Sequence, residues 1–170
     1  RVSAYFQVKK DDRISLQLTW FASHEEPPAA VDVAQALAST EQYWREWVGR
    51  CTYQGRWRDA VVRSLVTLKA MTYAPTGAIV AAPTTSLPES LGGVRNWDYR
   101  FCWMRDASLT LDAFMVGGYI DEARAFREWV VRTIAGDPED LQIMYNIFGA
   151  RRLTEFELDL LPGYEGSKPV

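Results

Sequence analysis

The sequence predicts a mainly α-helical chain preceded by a β-hairpin. Apolar residues recur at helical spacing in four stretches after residue 30, whereas strict alternation of apolar and polar residues is confined to the first 21 residues. Long segments rich in aromatic residues, glycine and proline join the helical stretches. Long ordered loops in a helical protein are usually binding loops, so these segments are where a functional site is expected.

The first 21 residues predict a hairpin with one buried face and a turn at residues 9–12. The apolar residues that alternate with polar ones are Ile14, Leu16, Leu18 and Trp20. An isolated hairpin is marginal in water, so these strands need a sheet that the sequence does not supply. The chain also begins with Arg1 instead of Met and ends in a loop-like run. We therefore expect a fragment of a longer protein.

Four helices are predicted at about residues 31–48, 57–71, from Asp106 or Ala107 to Gly117, and 121–134. Short strands are expected at 78–82, 141–145 and 153–158. Gly49 is the expected end of the first helix, and Asp106 is a candidate cap of the third. The residues expected to face the core are Val33, Leu37, Tyr43 or Trp44, Trp47, Val61, Val62, Leu65, Leu68, Leu109, Leu111, Ala113, Phe114, Ala123, Phe126, Trp129, Val130 and Ile134.

The composition excludes several classes of function. The net charge is -3, so no electrostatic attraction to nucleic acid or to an anionic membrane is implied. The sequence shows no signal peptide and no apolar run long enough to cross a bilayer. Cys51 and Cys102 follow no metal-binding spacing and are expected to be buried thiols of a cytoplasmic protein. A lone histidine, His24, excludes histidine triads and histidine-rich metal sites within these residues.

Residues 96–106, Asn-Trp-Asp-Tyr-Arg-Phe-Cys-Trp-Met-Arg-Asp, combine four aromatic rings with two arginines and two aspartates. This mixture suits a sugar, which has an apolar ring face and a rim of hydroxyl groups. An aromatic ring stacks on the face, while arginine donates to hydroxyls and aspartate accepts from them. Arg105 and Asp106 supply both groups where a helix begins, with Tyr99 and Trp103 nearby. Spacing alone leaves another interpretation open: Asp106 only caps the helix, Arg105 only pairs with Asp98, and the rings only fill the core.

Residues 92–108 resemble the signature segment of glycoside hydrolase family 15, which includes glucoamylases, glucodextranases and bacterial trehalases. The resemblance rests on Trp-x-Tyr-x-x-x-Trp-x-Arg-Asp after a Gly-Gly pair. Two further runs agree with the bacterial and archaeal branch, Ala-Pro-Thr-Thr-Ser-Leu-Pro-Glu at 82–89 and the run at 161–170. In the second run Glu165 departs from the basic residue that relatives often carry, so no ligand contact is carried over onto this loop.

The resemblance implies an (α/α)6 barrel of which residues 55–170 would be the N-terminal part. Residues 1–23 would end an N-terminal β-sandwich, and 24–54 would be a linker with a helix. The implied substrate is an α-glucoside, either a starch- or dextrin-type oligosaccharide or trehalose, hydrolysed with inversion by a hydrolase that needs no cofactor or metal. The residues carried over as binding the non-reducing-end glucose are Tyr99, Trp103, Arg105 and Asp106.

Both catalytic glutamates of the family lie on later loops, and no position in this sequence matches either motif. The resemblance therefore implies no catalytic residue here and an inactive chain on its own. Its expected partners are the sugar and the rest of its own polypeptide, with a homo-oligomer also open. The alternative is a non-catalytic carbohydrate-binding helical module.

Overall fold

The computed structural model describes residues 3–85, 87–134 and 138–170. The chain divides into two compact units, Arg1–Trp47 and Val48–Val170.

The N-terminal segment of the first unit forms the predicted turn but not the predicted hairpin. The backbone N–H of Asp12 donates to the carbonyl of Lys9 at 3.1 Å, and that of Lys9 donates to the Asp12 carboxylate at 2.7 Å. Residues 3–32 contain no strand. Leu18 and Trp20 are 102% and 88% exposed, so the described residues do not bury the predicted apolar face. Without a second layer, the apolar side chains gain no burial that would offset the cost of ordering two strands.

Helix α1, Val33–Gly49, confirms the first predicted helix and its end at Gly49. Asp32 caps it, because its Oδ1 accepts a hydrogen bond from the backbone N–H of Gln35 at 3.0 Å. The predicted inner face is only partly correct. Trp47 is buried and Trp44 half-buried, whereas Val33, Leu37 and Tyr43 are exposed, since residues 3–32 form no regular element that could cover them.

The described residues of the second unit form three longer helices and two small antiparallel sheets. The elements in chain order are α2 (Arg58–Ala70), β1 (Thr72–Tyr73), β2 (Ala78–Ile79), β3 (Cys102–Trp103), α3 (Met104–Gly117), α4 (Ile120–Ile134), a 3-10 turn (Pro138–Asp140), β4 (Met144–Tyr145) and a second 3-10 turn (Tyr164–Gly166). Strand β1 pairs with β2, and β3 pairs with β4. The predicted strands at 78–82 and 141–145 are confirmed as shorter pairs, whereas residues 153–158 form no strand. Within that stretch Leu158 donates its backbone N–H to the carbonyl of Val170 at 2.7 Å and accepts a hydrogen bond from the N–H of Leu161 at 3.0 Å.

The core of this unit lies where α2, α3 and α4 meet the two sheets. Four predicted core residues are buried: Leu65, Phe114, Phe126 and Trp129. Leu109 is 69% exposed, contrary to the prediction. The buried face of α3 is instead formed by positions three or four residues apart, Ala107, Thr110, Phe114 and Gly117. Leu109 lies off this stripe, which explains its exposure.

The start of α4 is held by a buried carboxylate. Glu122, whose side chain is 4% exposed, lies 3.2 Å from Lys69 Nζ on α2 and accepts a hydrogen bond from Arg50 Nη2, also at 3.2 Å. A buried carboxylate needs such cationic partners, because an unpaired charge away from water is very costly. The ion pairs therefore tie α4 to α2 and to the segment after α1.

Both cysteines are free and buried, as predicted. No helix among the described residues is both long and apolar enough to cross a membrane. Nor do these residues bring three or more histidine, cysteine, aspartate or glutamate side chains together as a metal site.

Candidate functional site

Residues 99–104, which carry the predicted site, are hydrogen-bonded to two other segments of the chain. On one side, the N–H groups of Ala81 and Ala82 donate to the carbonyls of Phe101 and Tyr99, both at 3.0 Å. On the other side, β3 pairs with β4, so that Trp103 lies opposite Met144. The N–H of Met104 also donates to the carbonyl of Ile143 at 3.0 Å. These bonds fix the path of the chain directly before α3.

Arg105 and Asp106 lie in the first turn of α3. The helix begins at Met104, two residues earlier than predicted, and Trp103 holds the cap position with extended backbone angles of φ -86° and ψ 125°. Asp106 is therefore inside the first turn, and its predicted role as the cap is wrong. The carboxylate still lies at the helix N-terminus, where free N–H groups and the helix dipole favour a negative charge.

The arginine and the aspartate are paired with each other. Nε and Nη2 of Arg105 donate to the same oxygen, Oδ2 of Asp106, at 3.2 and 3.0 Å. The Arg105 side chain is 76% exposed and that of Asp106 is 35% exposed. A hydroxyl group from solvent can therefore reach a donor and an acceptor at one place, which is the chemistry that a sugar rim requires.

Trp103 lies beside this pair. The guanidinium carbon of Arg105 is 6.0 Å from the centre of the indole ring, at the outer limit of a cation–π contact. Trp103 is half-buried, and its indole N–H is buried with no acceptor within the part of the chain that the structure describes. A buried donor without a partner is costly, so this N–H is the feature of the site that most clearly calls for a further acceptor.

Tyr99 is held by a different contact. Its hydroxyl donates to Oε1 of Glu89 at 3.0 Å. Partial burial, and secondarily the Glu89 carboxylate, raise the pKa of the Tyr99 hydroxyl, so the ring stays neutral and keeps its proton for this bond. Glu89 was not among the sequence-predicted site residues. Its pairing with a ring ten positions later follows from the fold and left no periodic signal in the sequence.

Asp98 pairs with Arg100, not with Arg105. Nε of Arg100 donates to Oδ1 at 3.0 Å and Nη2 donates to Oδ2 at 2.8 Å, a two-pronged geometry. These bonds hold the pKa of the Asp98 carboxyl below its usual value. The interpretation that Arg105 serves only to neutralise Asp98 is therefore wrong.

The structure thus brings Trp103, Arg105 and Asp106 together and holds Tyr99 through Glu89. A depression of about 390 Å³ lies elsewhere on the second unit, lined by residues that include Trp129, Arg132 and Phe148. None of the four predicted site residues lines it. The site therefore consists of an exposed donor–acceptor pair, Arg105 and Asp106, beside the indole of Trp103.

Comparison with known sequences gives the class: the family model described as glycosyl hydrolases family 15 matches residues 55–170. The chain belongs to this family.

Similar proteins from several organisms are named trehalases. The chain is 38% identical over 168 residues to a trehalase of Mycolicibacterium smegmatis and 37% identical to one of Mycobacterium tuberculosis, covering 96% of this chain and 25% of each relative. It is 42% identical over 134 residues to a trehalase of Thermoplasma acidophilum, covering 79% of this chain and 23% of that protein. The chain thus spans about a quarter of the length of these relatives. No solved structure matches it.

Proposed function

We propose that these residues belong to the N-terminal part of the catalytic domain of an inverting glycoside hydrolase, where Tyr99, Trp103, Arg105 and Asp106 bind the non-reducing-end glucose of an α-glucoside. The observation that carries the proposal is the exposed Arg105–Asp106 pair in the first turn of α3, with Nη2 and Oδ2 3.0 Å apart beside Trp103. Membership of the family supports the reaction class.

Each side chain has a defined task in this proposal. Arg105 donates to one sugar hydroxyl while Asp106 accepts from its neighbour, so that two vicinal hydroxyls are satisfied when water leaves. Trp103 stacks the face of its indole on the apolar face of the sugar. Asp106 is a carboxylate at the N-terminus of a helix, and a hydrogen bond from a sugar hydroxyl to a carboxylate is charge-assisted.

The proposed substrate is trehalose or a starch- or dextrin-type oligosaccharide. The names of the relatives, all trehalases in the comparison, favour trehalose. The catalytic acid and base are proposed to be glutamates outside these 170 residues, on later loops of an (α/α)6 barrel of which residues 55–170 are the beginning. Residues 1–23 would then end a β-sandwich and 24–54 would be the linker. An inverting pair stands roughly 6.5–9.5 Å apart to leave room for the attacking water.

The test uses the natural full-length polypeptide that contains these residues. It is expected to release glucose from trehalose or a maltooligosaccharide. In NMR spectra taken before mutarotation, inversion predicts β-glucose from the maltooligosaccharide and equal amounts of α- and β-glucose from trehalose, because the leaving glucose keeps its α configuration. Replacing Arg105→Ala or Asp106→Asn is expected to lower kcat/KM about 10- to 100-fold, since a hydrogen bond to a charged group is worth about 1.5–3 kcal/mol. Because both side chains reach solvent, the unfolding temperature should change little.

Arg124→Ala is the matched control. Arg124 is also exposed and also pairs with a nearby aspartate, Asp121 at 3.4 Å, but it lies on α4. Its replacement should leave turnover unchanged. Equal activity of the Arg105 and Asp106 variants and the parent would show that the site is wrongly placed. A full-length protein that binds sugars but hydrolyses none would indicate the alternative, a carbohydrate-binding module.

A further inference from the structure

Ser167 is a polar residue in an unusually buried position. It is 1% exposed, although it belongs to a loop near the end of the described chain. Its hydroxyl oxygen accepts a hydrogen bond from the backbone N–H of Gly92 at 3.0 Å, and its own N–H donates to the carbonyl of Tyr164 at 2.9 Å. The hydroxyl therefore links two loops that are 75 positions apart in the sequence.

The loop that carries Ser167 has a closely defined shape. Its two ends meet, because the N–H of Leu158 donates to the carbonyl of Val170 at 2.7 Å. Gly163 has a φ of 74°, and a Cβ placed there would lie 1.8 Å from the carbonyl oxygen of Ser167. Only glycine fits such a position, since any side chain would push Ser167 away. The backbone of this loop thus fixes where the Ser167 hydroxyl lies.

The partner loop, which we call the tip loop, consists of residues 89–96. Its base is closed by a hydrogen bond from the N–H of Glu89 to the carbonyl of Arg95 at 3.1 Å and by an ion pair of the same two residues at 3.6 Å. Inside it, the Asn96 amide donates to the carbonyl of Gly93 at 3.0 Å. Gly92, which bonds to Ser167, lies at its turn with a φ of 75°.

The base of the tip loop contacts one of the proposed site residues, Tyr99. Glu89 accepts the hydrogen bond of the Tyr99 hydroxyl at 3.0 Å. Ser167 is therefore bonded to Gly92 at one end of the tip loop, and Glu89 at the base of the same loop is bonded to Tyr99. We propose that Ser167 is a positioning residue, which anchors the tip loop and thereby holds Glu89 where it orients Tyr99 for the sugar. This inference rests on the proposed function of Tyr99.

The experiment is a double-mutant cycle in the full-length polypeptide. Ser167→Ala is expected to raise KM for the α-glucoside about five-fold with kcat within about two-fold, as expected for one neutral hydrogen bond. Ser167→Cys keeps a weak acceptor of similar size, so its KM should lie between that of the wild type and that of Ser167→Ala. In a Tyr99→Phe background, Ser167→Ala should have little further effect on KM, because the contact that it supports is already gone. Ser39→Ala, the same change at an exposed helix position, should leave KM unchanged.

Hydrogen exchange separates this proposal from the proposed function. In Ser167→Ala, amide exchange in peptides covering residues 89–99 should be faster, while exchange in α2 is unchanged. Additive effects of Ser167→Ala and Tyr99→Phe on KM, or unchanged exchange in the tip loop, would overturn the positioning role. A wild-type protein that hydrolyses no α-glucoside would instead overturn the proposed function and, with it, the inference.

Discussion

Cys102 shows how burial alone sets the chemistry of one residue. Its side chain is 0% exposed, between β2 and the start of α3, and burial raises the pKa of its thiol to about 11. The folded chain therefore favours the neutral thiol. For a group whose pKa is raised on folding, the stabilisation is fully present below the unfolded pKa and is lost as the pH rises through the folded pKa.

We predict that the wild type loses more stability than Cys102→Ala between pH 8.5 and 11. A shift of about two pKa units corresponds to at most about 2–3 kcal/mol at the alkaline end. The measurement is the free energy of unfolding from urea titrations of both proteins at pH 7, 9 and 10.5. Parallel pH profiles would show that the thiol of Cys102 ionises as easily in the folded chain as in the unfolded one.

At the level of elements, the turn between β1 and β2 is shaped by its contact with α4. Gly77 has a φ of 85°, and its N–H donates to the carbonyl of Tyr73 at 2.8 Å. A Cβ at this position would lie 2.6 Å from the backbone oxygen of Ala125 on α4. Glycine here serves both the left-handed backbone and the close approach of the helix.

Gly77→Ala is predicted to destabilise the fold by about 2–4 kcal/mol, since left-handed strain of about 1–2 kcal/mol adds to a clash with backbone. Gly49→Ala is the matched control, because a Cβ at Gly49 meets nothing within 4 Å at the end of α1. That change should be neutral or slightly stabilising. The measurement is the thermal unfolding midpoint of both variants under the same conditions, and that of Gly77→Ala should be the lower. Equal midpoints would contradict the role of Gly77.

The helices could be predicted from the sequence and the strands mostly could not, for one physical reason. The predicted helices match α1, α2 and α4 to within about two residues at each end because their period and their Gly and Pro boundaries are local signals. Strands β1 and β3 contain two residues each and exist only through partners elsewhere in the chain. The alternation at 14–20 predicted strands, but residues 3–32 contain none, because alternation alone supplies no pairing partner.

The site divides in the same way. Arg105 and Asp106 are sequence neighbours, so the motif predicts that both lie where α3 begins, and the structure adds that they pair with each other. The link between Tyr99 and Glu89 and the link between Gly92 and Ser167 are long-range consequences of folding. No local pattern encodes such contacts, so they became visible only in three dimensions.

For the whole molecule, the dominant property is the amount of apolar surface left in contact with water. Leu16, Leu18, Trp20, Phe156 and Leu160 are each more than 70% exposed. Scattered apolar side chains are ordinary on protein surfaces, but a dense set favours association.

The isolated 170-residue polypeptide is therefore predicted to bind the dye ANS and to self-associate at micromolar concentration. Replacing Leu16, Leu18 and Trp20 with serine should lower both signals without changing helix content, because these side chains are already in water. Dye fluorescence, size-exclusion chromatography and circular dichroism report the three properties. A monodisperse monomer that leaves the dye dark would show that these residues are covered within the chain.

The hydrogen bond between Leu158 and Val170 has a practical consequence. Since the loop starts and finishes at the same place, the residues between can be exchanged for a short turn without stretching the chain on either side. The whole segment between Leu158 and Val170 can therefore be replaced as one unit. Putting a two-residue hairpin connection in its place would remove Ser167, the acceptor of the Gly92 N–H, in one step.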